Sequence, residues 1–210
     1  MPQTLSDIKA LLAAHGLRPK HRLGQNFLHD HNHMRRIIET AALTPGELVL
    51  EVGAGTGSLS EALLEAGARL VAVEIDRDLE PILRQRLAPF GERVRLHIGD
   101  ILSNKRTINP DVLALLQKLA ATTPSAIRHS PSAIPFKLIA NLPYNIASPL
   151  LIDLSVDHPE MTAAVVMVQR EVADRLIAPP GSKTYGPLSV LVQAMCDVRR
   201  VAALPPSCFW

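Results

Sequence analysis

The sequence predicts an α/β fold of the Rossmann-like type, a mostly parallel twisted sheet with helices on both faces. Three observations support this prediction. Apolar runs alternate with segments of amphipathic helical spacing along most of the 210 residues. A glycine-rich turn, Gly53 to Gly57, follows the first apolar run, and the second run ends in an acid, Glu74. Apolar strands that alternate with helices are typical of parallel sheets buried on both faces.

The first 45 residues are predicted to be a helical segment that acts as a lid. Between its two helices, a basic and then polar stretch covers 18–28. A Thr-Pro-Gly turn at 44–46 leads into the first strand. The helices are expected at 6–15, with Ser6 as cap and Gly16 as stop, and at 31–42, with Asp30 as N-cap.

The rest of the chain is predicted to alternate between strands and helices. Each predicted strand is a run of apolar, mostly β-branched or aliphatic residues. The strands are expected at 48–50, 69–74, 94–98, 136–140 and 163–168, with a last strand near 198–203. The helices are expected at 58–66, 78–87 and 188–195, with a further helix after 169–171.

This alternation breaks at 103–135, which is interpreted as a surface insertion. The segment contains four prolines and one helical patch at 111–121. Proline-rich segments of this length are typical of surface loops, so residues 122–132 are expected to be mobile.

Composition leaves few classes of protein open. The chain has 22 Lys plus Arg against 20 Asp plus Glu, so any nucleic-acid surface must come from local clustering. Cys196 and Cys208 do not form a disulfide framework, which favours a reducing cytoplasm. Residues 1–20 carry charges within an amphipathic pattern, so neither a signal peptide nor a membrane span is expected.

The stretch Glu51 to Gly57 predicts a cofactor site. Glycines allow close approach of the backbone to a ligand, and amides at a helix start favour negative or polar groups. The spacing is G-x-G-x-G, and Ser58 stands where a dinucleotide fingerprint requires a third glycine. A nucleotide-like cofactor is the prediction, and a tight structural turn is the alternative.

Two acids beyond this turn could contact an adenosine group. Glu74 can accept both ribose hydroxyls, although it could equally be an ordinary acid at a strand end, and it would also suit NAD. Asp100 could accept from an adenine amine or simply stabilise a Gly-Asp turn. In open parallel sheets both lie at the carboxyl ends of strands, where ligands bind.

The turn Asn141-Leu142-Pro143-Tyr144 distinguishes among these possibilities. Pro143 removes an amide donor and restrains the backbone, so carbonyls of the turn can face the crevice. The Asn141 side-chain oxygen and such a carbonyl could accept both hydrogens of an exocyclic amine. Tyr144 offers a flat face for a base taken out of its stack. An ordinary Asx-Pro turn is the alternative.

Basic residues before and within the second predicted helix are the candidate RNA-backbone contacts. They are Arg18, Lys20, Arg22, Arg35 and Arg36, with a solvated basic loop as the alternative. His29, His31 and His33 alternate, but no cysteine or further ligand cluster accompanies them in the sequence, so no metal site is predicted.

The chain resembles the ribosomal-RNA adenine N6-dimethyltransferases over nearly its whole length except 103–135. The motifs that support this resemblance occur in the family's order: Gly24-Gln25-Asn26-Phe27-Leu28, Glu51-Val52-Gly53-Ala54-Gly55-Thr56-Gly57, Glu74-Ile75-Asp76, Gly99-Asp100, Ala140-Asn141-Leu142-Pro143-Tyr144-Asn145-Ile146, Gln169-Arg170-Glu171-Val172-Ala173, Tyr185-Gly186-Pro187-Leu188-Ser189-Val190 and Pro205-Pro206-Ser207-Cys208-Phe209.

The resemblance implies a class I methyltransferase fold spanning 1–210 and S-adenosyl-L-methionine as cofactor. It implies that Asn26 and Leu28 contact the methionine end, with Gly53, Ala54 and Gly55 beneath it. It implies that Glu74 holds the ribose, Ile75 and Ile101 sandwich the adenine, Asp100 binds the adenine amine, and Asn141 borders both the sulfonium and the target amine.

The implied reaction is dimethylation of N6 on each of two adjacent adenines near the 3′ end of small-subunit rRNA. The target site would comprise Asn141, Leu142, Pro143 and Tyr144, with Phe209 as an aromatic wall, although Phe209 stands at the chain end, where disorder is expected. The partner would be small-subunit rRNA in an immature 30S particle, bound by a cytoplasmic monomer with no membrane contact.

The sequence also departs from the family. The resemblance implies a small C-terminal helical domain that contributes to rRNA recognition, and the sequence ends before it, so we expect either a fragment or weakened recognition. Residues 103–135 have no counterpart in the family. Three alternatives remain: a relative that methylates one large-subunit adenine and confers antibiotic resistance, a ribosome-assembly or transcription factor on the same fold, and a dehydrogenase.

Overall fold

The computed structural model describes residues 3–104, 107–122 and 134–210. The strands are β1 Leu48–Val52, β2 Arg69–Glu74, β3 Val94–Ile98, β4 Leu102–Asn104, β5 Thr107–Ile108, β6 Phe136–Asn141 and β7 Met161–Met167. A five-stranded parallel sheet forms the centre, in the order β3-β2-β1-β6-β7. The strands β4 and β5 form a separate, short antiparallel pair.

Helices cover both faces of the sheet, which confirms the predicted fold class. Side chains of a strand alternate between faces, so Leu48, Leu50 and Val52 join one apolar cluster while Val49 joins the other. The helices are α1 Leu5–Ala14, α2 His31–Ala41, α3 Ser58–Glu65, α4 Glu80–Leu87, α5 Pro110–Ala121, α6 Ala147–Asp157, α7 Arg170–Leu176 and α8 Pro187–Met195.

The strand order creates a switch point between β1 and β6. The chain runs from β1 outward to β2 and β3, and then returns to β6 on the other side of β1. The loops after β1 and β6 therefore diverge from adjacent strand ends and leave a crevice between them. This crevice is where the glycine turn and the Asn141 turn meet.

The predicted N-cap of α2 is confirmed, and that of α1 is wrong. The Asp30 side chain accepts from the amide of His33 at 2.9 Å. The α1 helix is capped by Thr4 and not by Ser6, because Thr4 and Asp7 exchange hydrogen bonds between side chain and backbone. This reciprocal box satisfies two amides that a cap at Ser6 would leave open.

The interpretation of 103–135 as a surface insertion is wrong for its helical part. The α5 helix packs on β1, β2 and β3, and Val112, Leu116 and Leu119 are buried in the core. It therefore covers the sheet face opposite α3 and α4, which would otherwise expose the apolar side chains of β1 and β2. Residues 123–133, most of the segment predicted to be mobile, lie outside the described residues.

The predicted last strand near 198–203 is also wrong. Residues 197–205 are irregular, and the carbonyl of Val201 accepts from Arg36 Nη2 at 3.1 Å instead of joining a ladder. Within the described ranges, β7 pairs with β6 alone, so residues 198–203 do not add a strand to the sheet.

The helices of the described residues are all too short or too polar to span a bilayer.

Candidate functional site

A crevice with a cavity volume of about 110 Å³ opens to solvent at the switch point between β1 and β6. Its walls come from the stretch before α2, the glycine turn after β1, and the ends of β2, β3 and β6. The lining includes Gly24, Asn26, Gly53, Gly55, Glu74, Ile75, Asp100, Ile101, Asn141, Leu142, Pro143 and Tyr144.

The glycine turn is held close to the opposite wall. A Cβ on Gly53 would lie 3.3 Å from the ring of Pro143 and 3.4 Å from the Asn141 carbonyl, and its φ is +82°. Gly55 has φ +59°, and a Cβ there would approach the Phe27 ring at 3.1 Å. Both positions therefore need glycine for conformation and for space.

Glu74 is buried at the end of β2 and its carboxylate fixes the glycine turn. One oxygen accepts from the Gly55 amide at 2.7 Å and the other from the Asp76 amide at 2.8 Å. Burial raises the pKa of Glu74, and these backbone donors partly offset that effect. Because a carboxylate has about four acceptor sites, its acceptor capacity is not exhausted by these donors and can serve hydroxyl groups of a ligand.

The outer half of the crevice suits a flat, apolar ring. Ile75 is 45% exposed after β2, whereas Ile101 is buried. Asp100 uses Oδ1 to accept from the Leu102 amide at 2.9 Å, which fixes the carboxylate. Its other oxygen forms no hydrogen bond with any residue in the described ranges. The structure thus places the three predicted adenine contacts in the same part of the crevice.

Asn141 ends β6 with a fixed orientation. Its Nδ2 donates to the carbonyl of Asn26 at 2.8 Å, and within the described part of the chain its Oδ1 has no donor. The Leu142 amide donates to the Met167 carbonyl at 3.0 Å, while the Leu142 carbonyl receives no hydrogen bond from the described residues. Two acceptors, the Asn141 side chain and the Leu142 carbonyl, are therefore available next to each other.

Tyr144 lies at the mouth of the crevice with 43% of its surface exposed. Its hydroxyl accepts from Asn26 Nδ2 at 2.6 Å. Asn26 thus contacts both Asn141 and Tyr144, which sets the tyrosine ring beside the two free acceptors. An aromatic face in this position can stack on a planar base.

The stretch before α2 is attached to the loop after β2 by polar contacts. Lys20 pairs with Asp76 at 2.6 Å and with Asp78, and Gln25 donates to the second oxygen of Asp76 at 2.7 Å. Although burial acts in the opposite direction, the hydrogen bonds from Lys20 and Gln25 lower the pKa of Asp76. These contacts fix the stretch before α2, which forms one wall of the crevice, to the loop after β2.

The five predicted RNA contacts separate into three environments. Lys20 is paired with the two aspartates, so its ammonium is already neutralised. Arg35 lies on the surface near Asn32 and Glu39, while Arg36 donates to Val201. Arg18 and Arg22 are exposed, and neither forms an ion pair with the described residues.

The C-terminal residues are ordered, in contrast to the expectation for Phe209. Phe27 and Trp210 exchange two backbone hydrogen bonds at 2.8 and 3.1 Å, and Leu28 pairs with Phe209 in an antiparallel bridge. The Lys9 ammonium lies 5.4 Å from the Trp210 ring. Phe209 packs beside Leu28 and does not line the crevice, so the structure does not place it as an aromatic wall.

A smaller cavity lies behind the glycine turn. It is lined by Leu28 and Ala54, two predicted cofactor contacts, and by Glu51. Glu51 is 1% exposed and accepts from Ser60 Oγ at 2.6 Å. Burial raises its pKa to about 8, with a smaller contribution from Glu74. Glu51 is therefore a neutral acid below that pH.

Sequence reasoning missed the roles of Asp76, Gln25 and Glu51. The available signal was weak, since Asp76 and Gln25 lie in short polar stretches that occur in many loops. Their function depends on contacts between segments about fifty residues apart. The apolar surroundings of Glu51 hinted at burial, but an acid within a strand has no motif that predicts its protonation.

Comparison with known proteins identifies the family. The sequence profile described as Ribosomal RNA adenine dimethylase matches residues 16–210. A Ribosomal RNA small subunit methyltransferase A from Mycobacterium bovis is 42% identical over 205 residues, which cover 98% of this chain and 59% of the relative. The protein of the same name from Rhodococcus erythropolis is 42% identical, with coverage of 97% and 62%.

Solved structures show the same fold. A dimethyladenosine transferase from Plasmodium falciparum superposes with a TM-score of 0.65 and 26% identity, over 87% of this chain and 57% of that one. The 23S rRNA methyltransferase ErmE gives a TM-score of 0.50 and 28% identity, over 71% and 50%. The chain spans about three fifths of the length of the curated relatives that it matches. On the match over 16–210 and the 42% identity, the chain belongs to the ribosomal RNA adenine dimethylase family.

Proposed function

We propose that this chain is the catalytic domain of an S-adenosyl-L-methionine-dependent rRNA adenine N6,N6-dimethyltransferase. Its substrate would be two adjacent adenines near the 3′ end of small-subunit rRNA. The single observation that supports this most is the pair of free acceptors at Asn141 and Leu142 beside the exposed Tyr144 ring. The family and the names of its 42% identical relatives support the same reaction class.

The crevice fits S-adenosyl-L-methionine as cofactor. The close glycine turn would lie beneath its amino-acid end, and Asn26 with Leu28 would border that end. Glu74 has acceptor sites left for the ribose, and Ile75, Ile101 and Asp100 suit the adenine. When bound, this cofactor supplies an electrophilic methyl group on a positively charged sulfur.

The residues of the Asn141 turn would position the target amine. Its two hydrogens would be accepted by Asn141 Oδ1 and the Leu142 carbonyl, which directs the nitrogen lone pair into the crevice. The Tyr144 face would hold the extruded base, a contact worth about 1 to 3 kcal/mol. Such alignment can lower the barrier by roughly 7 to 11 kcal/mol.

No strong general base is needed in this site. The alkylated amine is acidic enough to lose its proton to water, so Asn141 would act as acceptor and orienting group. This fits the described residues next to the proposed target position, which contribute an amide, a carbonyl and a phenol.

RNA binding is proposed for Arg18 and Arg22, with Arg35 on the adjacent helix surface. Their exposed guanidinium groups could contact phosphates at the mouth of the crevice, and each such contact steepens the salt dependence of binding. Lys20 is better explained as a clamp on Asp76 than as a phosphate ligand.

The proposed partner is an immature 30S particle, and we expect a cytoplasmic monomer.

One other reaction has support from a specific observation, the similarity to 23S rRNA methyltransferase ErmE at 28% identity. A chain of that type would modify a single adenine of large-subunit rRNA. The higher identity to the small-subunit enzymes favours the first proposal. Primer-extension mapping of both rRNAs after reaction would distinguish them, because methylated N6 blocks or slows extension at the modified base.

The test is methyl transfer from labelled S-adenosyl-L-methionine to immature 30S particles by the wild type and by Asn141→Ala. Loss of the orienting acceptor should lower turnover about 100-fold or more, similar to the loss of one positioned hydrogen-bonding group in other active sites. Cofactor affinity should stay within about tenfold, or about 1.4 kcal/mol. Gln117→Ala, an exposed change on α5, is the control.

Wild-type turnover in Asn141→Ala would refute the role of this turn. Binding of NAD and not S-adenosyl-L-methionine would instead support a dehydrogenase. Cofactor binding without methyl transfer to either ribosomal subunit would support an assembly or transcription factor on this fold.

A further inference from the structure

Three potential metal ligands meet beside the crevice, two from the start of α2 and one from a segment distant in sequence. They are Asp30 at the N-terminus of α2, His33 in its first turn, and Cys208 in the short 3-10 helix Pro206–Cys208. One ligand atom of each lies within 4.8 Å of the other two. The sequence argued against a metal because no cysteine accompanies His33, but the fold brings Cys208 to it.

Backbone contacts hold this cluster in place. The His29 amide donates to the Cys208 carbonyl at 3.1 Å, next to the bridge between Leu28 and Phe209. Asp30 uses Oδ1 to cap α2 through the His33 amide, so this cap does not require Oδ2. Cys208 is 4% exposed, whereas Asp30 and His33 are half-buried and open a path from solvent.

We propose that Asp30, His33 and Cys208 form a zinc site. Thiolate, imidazole and carboxylate are the three ligand types that zinc takes in proteins, and water would complete a four-coordinate ion. Hard cations such as Mg²⁺ and Ca²⁺ prefer oxygen ligands and would not select a cysteine. The cluster is distinct from the crevice, whose lining includes none of these three residues.

The geometry needs only a small adjustment. Ligand atoms around one tetrahedral zinc ion lie about 3.3 to 3.7 Å apart, given bond lengths of roughly 2.0 to 2.3 Å. Side-chain movements of about 1 Å would therefore bring the three ligand atoms to the separations that one zinc ion requires. The N-terminus of α2 disfavours a cation by its dipole, but two anionic ligands at contact distance outweigh that effect.

A zinc ion here would tie the C-terminal residues to the wall of the crevice. Cys208 belongs to the segment that pairs with Phe27 to His29, and these residues directly follow Asn26. Binding to the folded chain alone would also stabilise it by mass action. The site would thus couple metal occupancy to the rigidity of the crevice wall.

The experiment titrates Co²⁺ and then Zn²⁺ into the metal-free 210-residue chain, prepared without a histidine tag. Co²⁺ should give a thiolate-to-cobalt charge-transfer band and the visible bands of a tetrahedral ion, and one equivalent of Zn²⁺ should abolish them. Cys208→Ser should lose the charge-transfer band. Cys196→Ser, a change at the chain's other cysteine, should keep it.

A second pair of variants tests the role of the His33 imidazole. This test is valid even if Cys208→Ser does not fold. His33→Gln should weaken Zn²⁺ binding about tenfold or more, as even indirect changes around metal sites cost 10- to 100-fold. His31→Gln, an exposed change on the same helical turn, should leave it unchanged. The proposal is overturned if wild type shows no thiolate band, if Cys208→Ser retains it, or if the two histidine variants bind Zn²⁺ equally.

Discussion

Glu51 should make the stability of the fold fall as the pH rises. Its carboxyl is buried behind the glycine turn, and Ser60 Oγ is its hydrogen-bond donor at 2.6 Å. Burial raises the pKa from the ordinary 4.5 to about 8, and the nearby Glu74 adds to the effect. The folded chain therefore holds a proton on Glu51 at a pH where the unfolded chain has lost it.

The sign and size of the effect follow from this difference. Between about pH 4.5 and pH 8 the folded state binds about one more proton than the unfolded state, so stability falls by about 1.4 kcal/mol per pH unit. The full contribution is present below pH 4.5 and is lost as the pH rises through about 8. Over the whole window the loss amounts to about 5 kcal/mol.

Glu51→Gln removes this titration while keeping the shape of the side chain and an oxygen that can accept from Ser60. Urea unfolding followed by circular dichroism should be measured at several values between about pH 5.5 and pH 8 for both proteins. The difference in the free energy of unfolding between variant and wild type should change by about 1.4 kcal/mol per pH unit in favour of the variant.

Glu171→Gln is the control, because this glutamate is exposed in the folded chain and solvated in the unfolded one. It should follow the wild-type dependence on pH. Parallel stability curves for wild type and Glu51→Gln would show that Glu51 is ionised in the fold. The assignment of a neutral buried acid behind the glycine turn would then be wrong.

Two further changes test the core and the clamp. Leu116→Ala on α5 should lower the free energy of unfolding by about 2 to 5 kcal/mol, whereas Gln117→Ala should change it by less than about 0.5 kcal/mol. Equal effects of the two changes in urea unfolding would instead support the surface-insertion interpretation. Lys20→Met should cost about 1 to 2 kcal/mol by leaving the buried Asp76 without its cation, and should weaken S-adenosyl-L-methionine binding in calorimetry. The exposed Arg18→Met should do neither, and a matching loss there would remove the distinction between clamp and surface cation.

The sheet was predictable because each strand has a local signal. The runs at 69–74 and 94–98 have the bounds of β2 and β3, and the first run falls within β1. The predictions that failed, the surface insertion at 103–135 and the last strand near 198–203, were made from local signals. Tertiary contacts override such signals. The prolines flanking α5 suggested a loop, although Pro110 only starts the helix, where its missing amide costs nothing.

The site was predictable to the extent that its residues sit at strand ends. Glu74 and Asn141 end strands and Asp100 follows one, and parallel strands bring their carboxyl ends to one edge. Lys20, Phe209 and Cys208 lie in segments without such constraint. The position of Lys20 depends on its ion pairs with Asp76 and Asp78. The positions of Phe209 and Cys208 depend on backbone pairing between 27–29 and 208–210, and no pattern within either segment predicts the other.

The crevice depends on three attachments of different kinds. The glycine turn is held by Glu74, the stretch before α2 by Asp76, and the Asn141 turn by the carbonyl of Asn26. Each attachment uses a donor or acceptor that a ligand does not need, since Glu74 and Asn141 keep free acceptor sites. The polar groups that shape the crevice are thus arranged before a ligand arrives, which lowers the entropy that binding must offset.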